Sequence, residues 1–270
     1  RFGVQSVCNK SKGLTGMYYD YAMAAPRMTK NAYKDQDVLI LGMGSGTFAH
    51  QCSEYLPTVH CEGVEIDQKL TDLARKYFDE PKSTKVVTYD GRAYLNAVDK
   101  KYDVIMVDAY QDITIPFSMS SVEFFQMVKE HLNDGGVMVV NMNMRGQSKG
   151  SITDYLTDTI CSVFPTVYTA DVDGSTNREL FASTDSSIKE NLDMNAMLYS
   201  GDPEFTQMMQ QVSGELVKQN GGSCILTDDK APVELLGIRV IDRLINEEVA
   251  YYRDIYNKQG IRAVMKELGI

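Results

Sequence analysis

The sequence predicts an α/β fold: a doubly wound, mostly parallel sheet over residues 37–183, followed by a helical extension over residues 184–270. Three observations carry that prediction. Val38, Leu39, Ile40 and Leu41 form an apolar strand that runs straight into a glycine loop. Apolar strands then alternate with helical patterns as far as Ser183, and beyond it only helical periodicity is left. Such alternation implies right-handed crossovers that cover both faces of a sheet. Residues 1–36 read as a lead-in segment.

Four apolar residues in succession suit a central strand buried on both faces. Gly42, Gly44 and Gly46 then let the backbone approach a ligand without Cβ clashes. A helix over 48–55 offers that ligand unpaired N–H groups. Dinucleotide sites place an acidic residue at the end of the next strand, about twenty positions on. Glu65 stands there, in the strand over 60–67, where a carboxylate accepts both hydroxyls of a ribose. The third glycine of the dinucleotide fingerprint falls at Thr47, which favours a nucleoside without a pyrophosphate, such as an adenosyl sulfonium compound.

Ile66, Leu70, Leu73, Ala74, Tyr77 and Phe78 recur at helical spacing, so one apolar stripe is expected on a helix over 67–78, closed by Pro81. A third strand over 85–89 delivers Asp90 and Gly91 to the same sheet end as Glu65, and a fourth over 102–107 ends at Asp108. A helix is predicted over 118–132, capped by Ser120 or Ser121 and stopped by Asp134, Gly135 and Gly136. A strand over 137–140, a polar loop over 143–150 and a helix over 152–164 follow. Strands over 166–170 and 179–182, turned at Asp173 and Gly174, close the sheet. In the extension, Ile241, Leu244, Ile245, Val249, Tyr252 and Ile255 form another stripe, with breaks at 220–222 and 226–232. For the aromatic cluster Tyr18, Tyr19 and Tyr21, packing against the sheet is favoured over closure on a ligand.

A length of 270 residues suits one main domain, and 37 acidic against 27 basic side chains give a net charge of −10. That balance argues against a nucleic-acid surface and favours cationic or neutral small substrates. Five cysteines without a C-x-x-C pair fit packing roles in a reducing compartment. His50, His60 and His131 lack metal-ligand spacing, so no metal is expected. No apolar run approaches a membrane span and no signal-peptide pattern opens the fragment, so a cytoplasmic location is expected.

The glycine loop, Glu65, Asp90 with Gly91, and Asp108 all fall at the C-terminal ends of the first four strands, where open α/β sheets bind ligands. Singly, Asp67 and Asp90 read as helix caps. Together, the acidic groups at successive strand ends favour a site.

These residues carry a resemblance. The motifs are Leu41-Gly42-Met43-Gly44-Ser45-Gly46, Val64-Glu65-Ile66-Asp67, Asp90-Gly91-Arg92, the strand over 102–107 leading to Asp108, and Glu123-Phe124-Phe125 leading to Leu132-Asn133-Asp134-Gly135-Gly136-Val137. With them, residues 37–182 resemble the catalytic domain of the spermidine synthase family, polyamine aminopropyltransferases with a methyltransferase-like Rossmann fold. The resemblance implies decarboxylated S-adenosylmethionine as co-substrate and a small cationic amine as acceptor. It implies that Glu65 binds the ribose, that Ile66 is a further contact to the co-substrate and that Asp90 and Gly91 meet the adenine. Gly42, Met43, Gly44, Ser45 and Gly46 would approach the sulfonium and its side chain. Asp108 matches the catalytic carboxylate, and Tyr19, Tyr110, Gln111 and Asp112 are the expected amine contacts. A homodimer is the expected assembly. Residues 226–234 are similar to a segment in bacterial members fused to a membrane-spanning region, which implies such a region before Arg1. The other reading of Asp228 and Asp229 is a solvated turn, and both stay open.

The chain departs from the family pattern in three places. Ser45 replaces an Asp, the family's Asp-x-x-Asp reads Asp108-Ala109-Tyr110-Gln111 with Asp112 one residue further on, and residues 171–177 lack the family's proline and tyrosine. Three functions are therefore carried forward. Aminopropyl transfer leads, followed by methyl transfer from intact S-adenosylmethionine, and then by a non-catalytic nucleoside-binding domain attached to a membrane partner.

Overall fold

The computed structural model describes residues 6–78, 81, 83–110, 114–143, 150–198 and 201–268, with backbone alone at 197–198, 239–241 and 243–244. Strands form where aliphatic runs occur: β1 (Gln36–Leu41), β2 (Val59–Glu65), β3 (Lys85–Thr88), β4 (Tyr102–Val107), β5 (Leu132–Met142), β6 (Thr166–Asp171), β7 (Arg178–Ser183) and the two-residue β8 (Val217–Lys218). They make one sheet in the order β3-β2-β1-β4-β5-β7-β6-β8. The first five run parallel, while β7 is antiparallel to both β5 and β6, and β8 is antiparallel to β6. The chain winds outward from β1 to β3 and then crosses to β4, so the order reverses between β1 and β4. A crevice opens at such a reversal.

Period-two alternation sorts the strand side chains onto two layers. Val38, Ile40, Val104, Met106, Val139 and Phe181 face one side. There they meet α1 (Tyr18–Ala22), α2 (Ala24–Met28), α3 (Thr47–Tyr55), α8 (Ile188–Leu198) and α9 (Pro203–Glu215). Leu39, Leu41, Ile105, Val107, Met138 and Val140 face the other. That side is covered by α5 (Gly91–Ala97), α6 (Val122–Glu130) and α7 (Ile152–Val163). Each fully buried aliphatic side chain contributes about 1.5–3 kcal/mol, so the central strands hold the loops at their ends rigidly.

Several boundaries differ from the sequence-based expectation. A 3₁₀ turn at Phe117–Met119 precedes α6, whose cap is Ser121, accepting from the Phe124 N–H at 3.3 Å. β5 begins at Leu132, pairing with Tyr102, and a register shift in the β4 ladder takes up Asp134, Gly135 and Gly136. The helix α4 (Gln68–Tyr77) forms as expected, but its apolar stripe is largely exposed: Leu70, Leu73 and Tyr77 face outward, and Thr71 and Ala74 are buried instead. The reason is that β3, beneath it, is a four-residue edge strand and leaves no second layer for α4 to cover.

The span 184–270 divides in two. Ile188, Leu192, Phe205, Met209 and Val212 bury α8 and α9 in the same core as α1, and β8 joins the sheet. The long α10 (Val233–Gln259) is anchored at its start by Val233 and Leu236, while Ile245 and Val249 of its predicted stripe are exposed. Side chains of Ile241 and Leu244 lie outside the description. α11 (Ile261–Leu268) follows. Among the described residues, no helix is long and apolar enough to cross a membrane, and the cysteines are joined by no disulfide.

Candidate active site

The glycine loop needs its glycines. Gly42, Gly44 and Gly46 have φ of 90°, 54° and 80°, a region that side chains with a Cβ rarely adopt. A Cβ on Gly42 would lie 2.5 Å from the Asp108 carbonyl oxygen, so this position presses the loop against the end of β4. The N–H groups of Gly42 and Met43 both donate to the Val64 carbonyl, at 2.9 and 3.1 Å. The Met43 side chain turns into the core over Gly63, where a Cβ would meet its Sδ at 2.6 Å. Met43 therefore offers a ligand backbone only.

Glu65, at the end of β2, is buried. Its Oε2 accepts from the Gly44 N–H at 2.8 Å and its Oε1 from the Asp67 N–H at 3.0 Å. One carboxylate thus ties the loop to the strand, and each oxygen keeps a lone-pair direction for a further donor. Asp67 caps α4 by accepting from the Lys69 N–H at 2.8 Å. Asp90 caps α5, accepting from the Ala93 N–H at 2.8 Å, and its side chain is otherwise exposed beside Gly91. Ile66 is 73% exposed, an apolar surface at the strand end between Glu65 and Asp67.

Asp108 follows β4 and is half-buried beneath α1. The Tyr18 hydroxyl donates to its Oδ2 at 2.7 Å and the Asn141 side-chain amide to its Oδ1 at 2.8 Å. Both bonds favour the charged form, yet burial outweighs them and pushes the Asp108 carboxyl up to about 7. Asn141 is held in turn by Asn177, whose amide donates to its Oδ1 at 2.8 Å.

The expected amine contacts fare differently. Tyr19 is buried with its ring centroid 4.0 Å from that of Tyr18, and it is Tyr18 that touches Asp108. Tyr110 donates its hydroxyl to the Asn141 carbonyl and accepts from the Asn143 N–H at 2.8 Å, pinning the loop after β4 to β5. Gln111 and Asp112 lie outside the described residues. Ser45 is buried, its hydroxyl 3.0 Å from that of Thr47. Thr47 donates to the Val7 carbonyl at 2.9 Å, which lays the N-terminal segment across the loop.

Three polar residues at this end of the sheet were not singled out in the sequence. Tyr18 stood in a visible cluster with no signal to single it out from Tyr19. Asn141 and Glu179 each interrupt an apolar strand, and a polar residue in a buried strand is a signal that was legible. Asp228 resolves into a structural role: it forms a bidentate pair with Arg92 at 2.7 and 2.6 Å and accepts from Ser121, docking the segment before α10 onto α5 and α6.

This strand order with a glycine loop at the reversal defines the methyltransferase-like class of α/β folds. Solved structures agree: human methyltransferase-like protein 13 in complex with SAH superposes with a TM-score of 0.58 at 22% identity, covering 73% of this chain and 92% of that one. Spermidine synthase from Thermotoga maritima superposes with a TM-score of 0.58 at 21% identity, covering 70% of this chain and 67% of that one. At such identities the likeness shows the fold alone. In sequence, residues 17–171 match the spermine/spermidine synthase domain. A probable polyamine aminopropyl transferase of Bifidobacterium longum is 53% identical over 98% of this chain, which spans 62% of that protein's length. The chain belongs to the spermine/spermidine synthase family.

Proposed function

We propose that this chain transfers an aminopropyl group from decarboxylated S-adenosylmethionine to a small cationic amine. The observation that carries the proposal is Asp108: a half-buried carboxyl at the end of β4, beside the glycine loop, oriented by Tyr18 and Asn141. An alkylamine has a pKa of ~10, so about one molecule in a thousand is unprotonated at neutral pH. A carboxylate with a pKa of about 7 attracts the ammonium and then accepts its proton. The freed amine attacks the methylene carbon next to the sulfonium. The C–N bond forms as the C–S bond breaks, the electron pair passes to sulfur, and methylthioadenosine leaves. The name of the B. longum relative supports the same reaction. Methylthioadenosine release from decarboxylated S-adenosylmethionine, dependent on added amine, tests the proposal, and release of S-adenosylhomocysteine from intact S-adenosylmethionine instead would assign methyl transfer. A membrane-spanning region before Arg1 and a second copy of the chain belong to the proposal as expectations from the resemblance.

In this reading Glu65 binds the ribose hydroxyls through its two free lone-pair directions, and Ile66 lies against the nucleoside. Charge-assisted hydrogen bonds are worth roughly 1.5–3 kcal/mol each, so Glu65→Ala is expected to weaken methylthioadenosine binding at least about tenfold. Calorimetry on the folded variant checks this, and an unchanged Kd would remove Glu65 from the site.

Ser45 bears on the choice of donor. An anionic residue in the loop attracts the terminal ammonium of the decarboxylated donor and repels the carboxylate of the intact one, and a neutral Ser does neither. The two donors are expected to bind within about tenfold of each other, and Ser45→Asp to shift preference towards the decarboxylated form. A hundredfold preference of the parent for intact S-adenosylmethionine would favour methyl transfer.

A further inference from the structure

The proposed mechanism leaves one acidic group of the site unused. Glu179 in β7 is 0% exposed, and among the described residues it is the only carboxyl with both oxygens buried and without a hydrogen-bond partner. Register places it in the site. Val107 of β4 pairs with Val140 of β5, so Asp108 lies level with Asn141, and Asn141 pairs with Glu179 of β7. Residues level on adjacent strands share a face, so Asp108, Asn141 and Glu179 form a row on the side of the sheet that α1 covers. Asn141 does not bond Glu179: its side-chain amide donates to Asp108 and its side-chain oxygen accepts from Asn177.

The rest of the molecule shows how this chain treats a buried acid that belongs to the scaffold. Glu62, also buried, receives Lys85 at 2.7 Å, Tyr94 at 2.8 Å and Tyr102 at 3.3 Å, with Lys100 at 3.5 Å. Glu179 has no such set. An unbonded carboxyl in an apolar core is unfavourable whether charged or neutral, and burial, with the Asp108 charge second, pushes Glu179 well above the usual carboxylate range. A cation entering the row satisfies both acids at once.

We propose that Glu179 is a specificity-determining residue, which binds a second cationic nitrogen of the acceptor while Asp108 binds the reacting one. It does so where this chain has Gln111 in place of the family's second acid. The inference rests on the aminopropyl-transfer reading.

The test measures Kd for 1,4-diaminobutane and for 1-aminobutane by calorimetry on the chain saturated with methylthioadenosine, for the parent, Glu179→Gln and Glu179→Met. Both variants are expected to lose at least about tenfold in affinity for the diamine and less than about threefold for the monoamine. Glu179→Met is also expected to raise the Tm of the unliganded chain, since it removes an unbonded acid at similar volume. No loss for the diamine, an equal loss for both amines, or a lowered Tm in Glu179→Met would overturn the inference and assign Glu179 to the scaffold. A parent that binds neither amine would instead sink the aminopropyl-transfer reading, and this inference with it.

Discussion

Asp108→Asn is expected to cut turnover about a thousandfold while leaving methylthioadenosine affinity within about twofold, because the change keeps shape but removes the proposed base. Asn retains an acceptor for the Tyr18 hydroxyl, while its amide nitrogen replaces the oxygen that accepts from Asn141, so one of the two orienting hydrogen bonds is kept. For the parent, kcat/KM for the amine is expected to rise with pH through about 7, where Asp108 ionises, and to fall above ~10, where the amine loses its charge. The variant should lose the rising limb. Equal turnover in parent and variant would assign Asp108 a purely structural role.

The same group imposes a pH dependence on stability. Burial raises the Asp108 carboxyl from 3.8 to about 7, so between those values the folded chain holds a proton that the unfolded chain has released. Its contribution is present in full at low pH and is lost as pH rises through about 7, a loss of about 4 kcal/mol. Asp108→Asn removes this dependence and is expected to be more stable than the parent at pH 8, as measured by urea midpoints. The candidate site is thus held at a cost in stability, a common trade-off.

Gly42→Ala is expected to have the second large effect. Its φ of 90° disfavours any Cβ, and the added atom would meet the Asp108 carbonyl oxygen at 2.5 Å and the Ala109 backbone at 2.7 Å. Backbone cannot yield as a flexible side chain can. A loss of about 3 kcal/mol is expected, which lowers Tm by roughly 6–12 °C in a domain of this size. Gly44→Ala is the control: its φ is 54° and nothing lies within 4 Å of an added Cβ, so only the backbone preference, about 1–2 kcal/mol, is lost. Equal Tm values for the two variants would show that the contact between the glycine loop and β4 carries no weight.

Much of this fold was legible because its signals are local. Apolar runs at 38–41 and 104–107, the glycines at 42, 44 and 46 with positive φ, and the acidic residues ending β2 and β4 all follow from spacing along the chain. Strand alternation then brings Glu65 and Asp108 to one end of the sheet by topology alone. What the sequence did not decide depends on neighbours far apart in the chain. The stripe on α4 has helical spacing, but its exposure follows from β3 being the sheet edge. The choice of Tyr18 over Tyr19 for Asp108, 90 positions away, is made by how α1 lies across β4. Asp228 becomes a scaffold residue only because folding sets it against Arg92, 136 positions earlier. Glu179 reads as a polar interruption of a strand. Only the β4–β5–β7 register, set by hydrogen bonds between strands, places it level with Asp108 and away from every partner among the described residues.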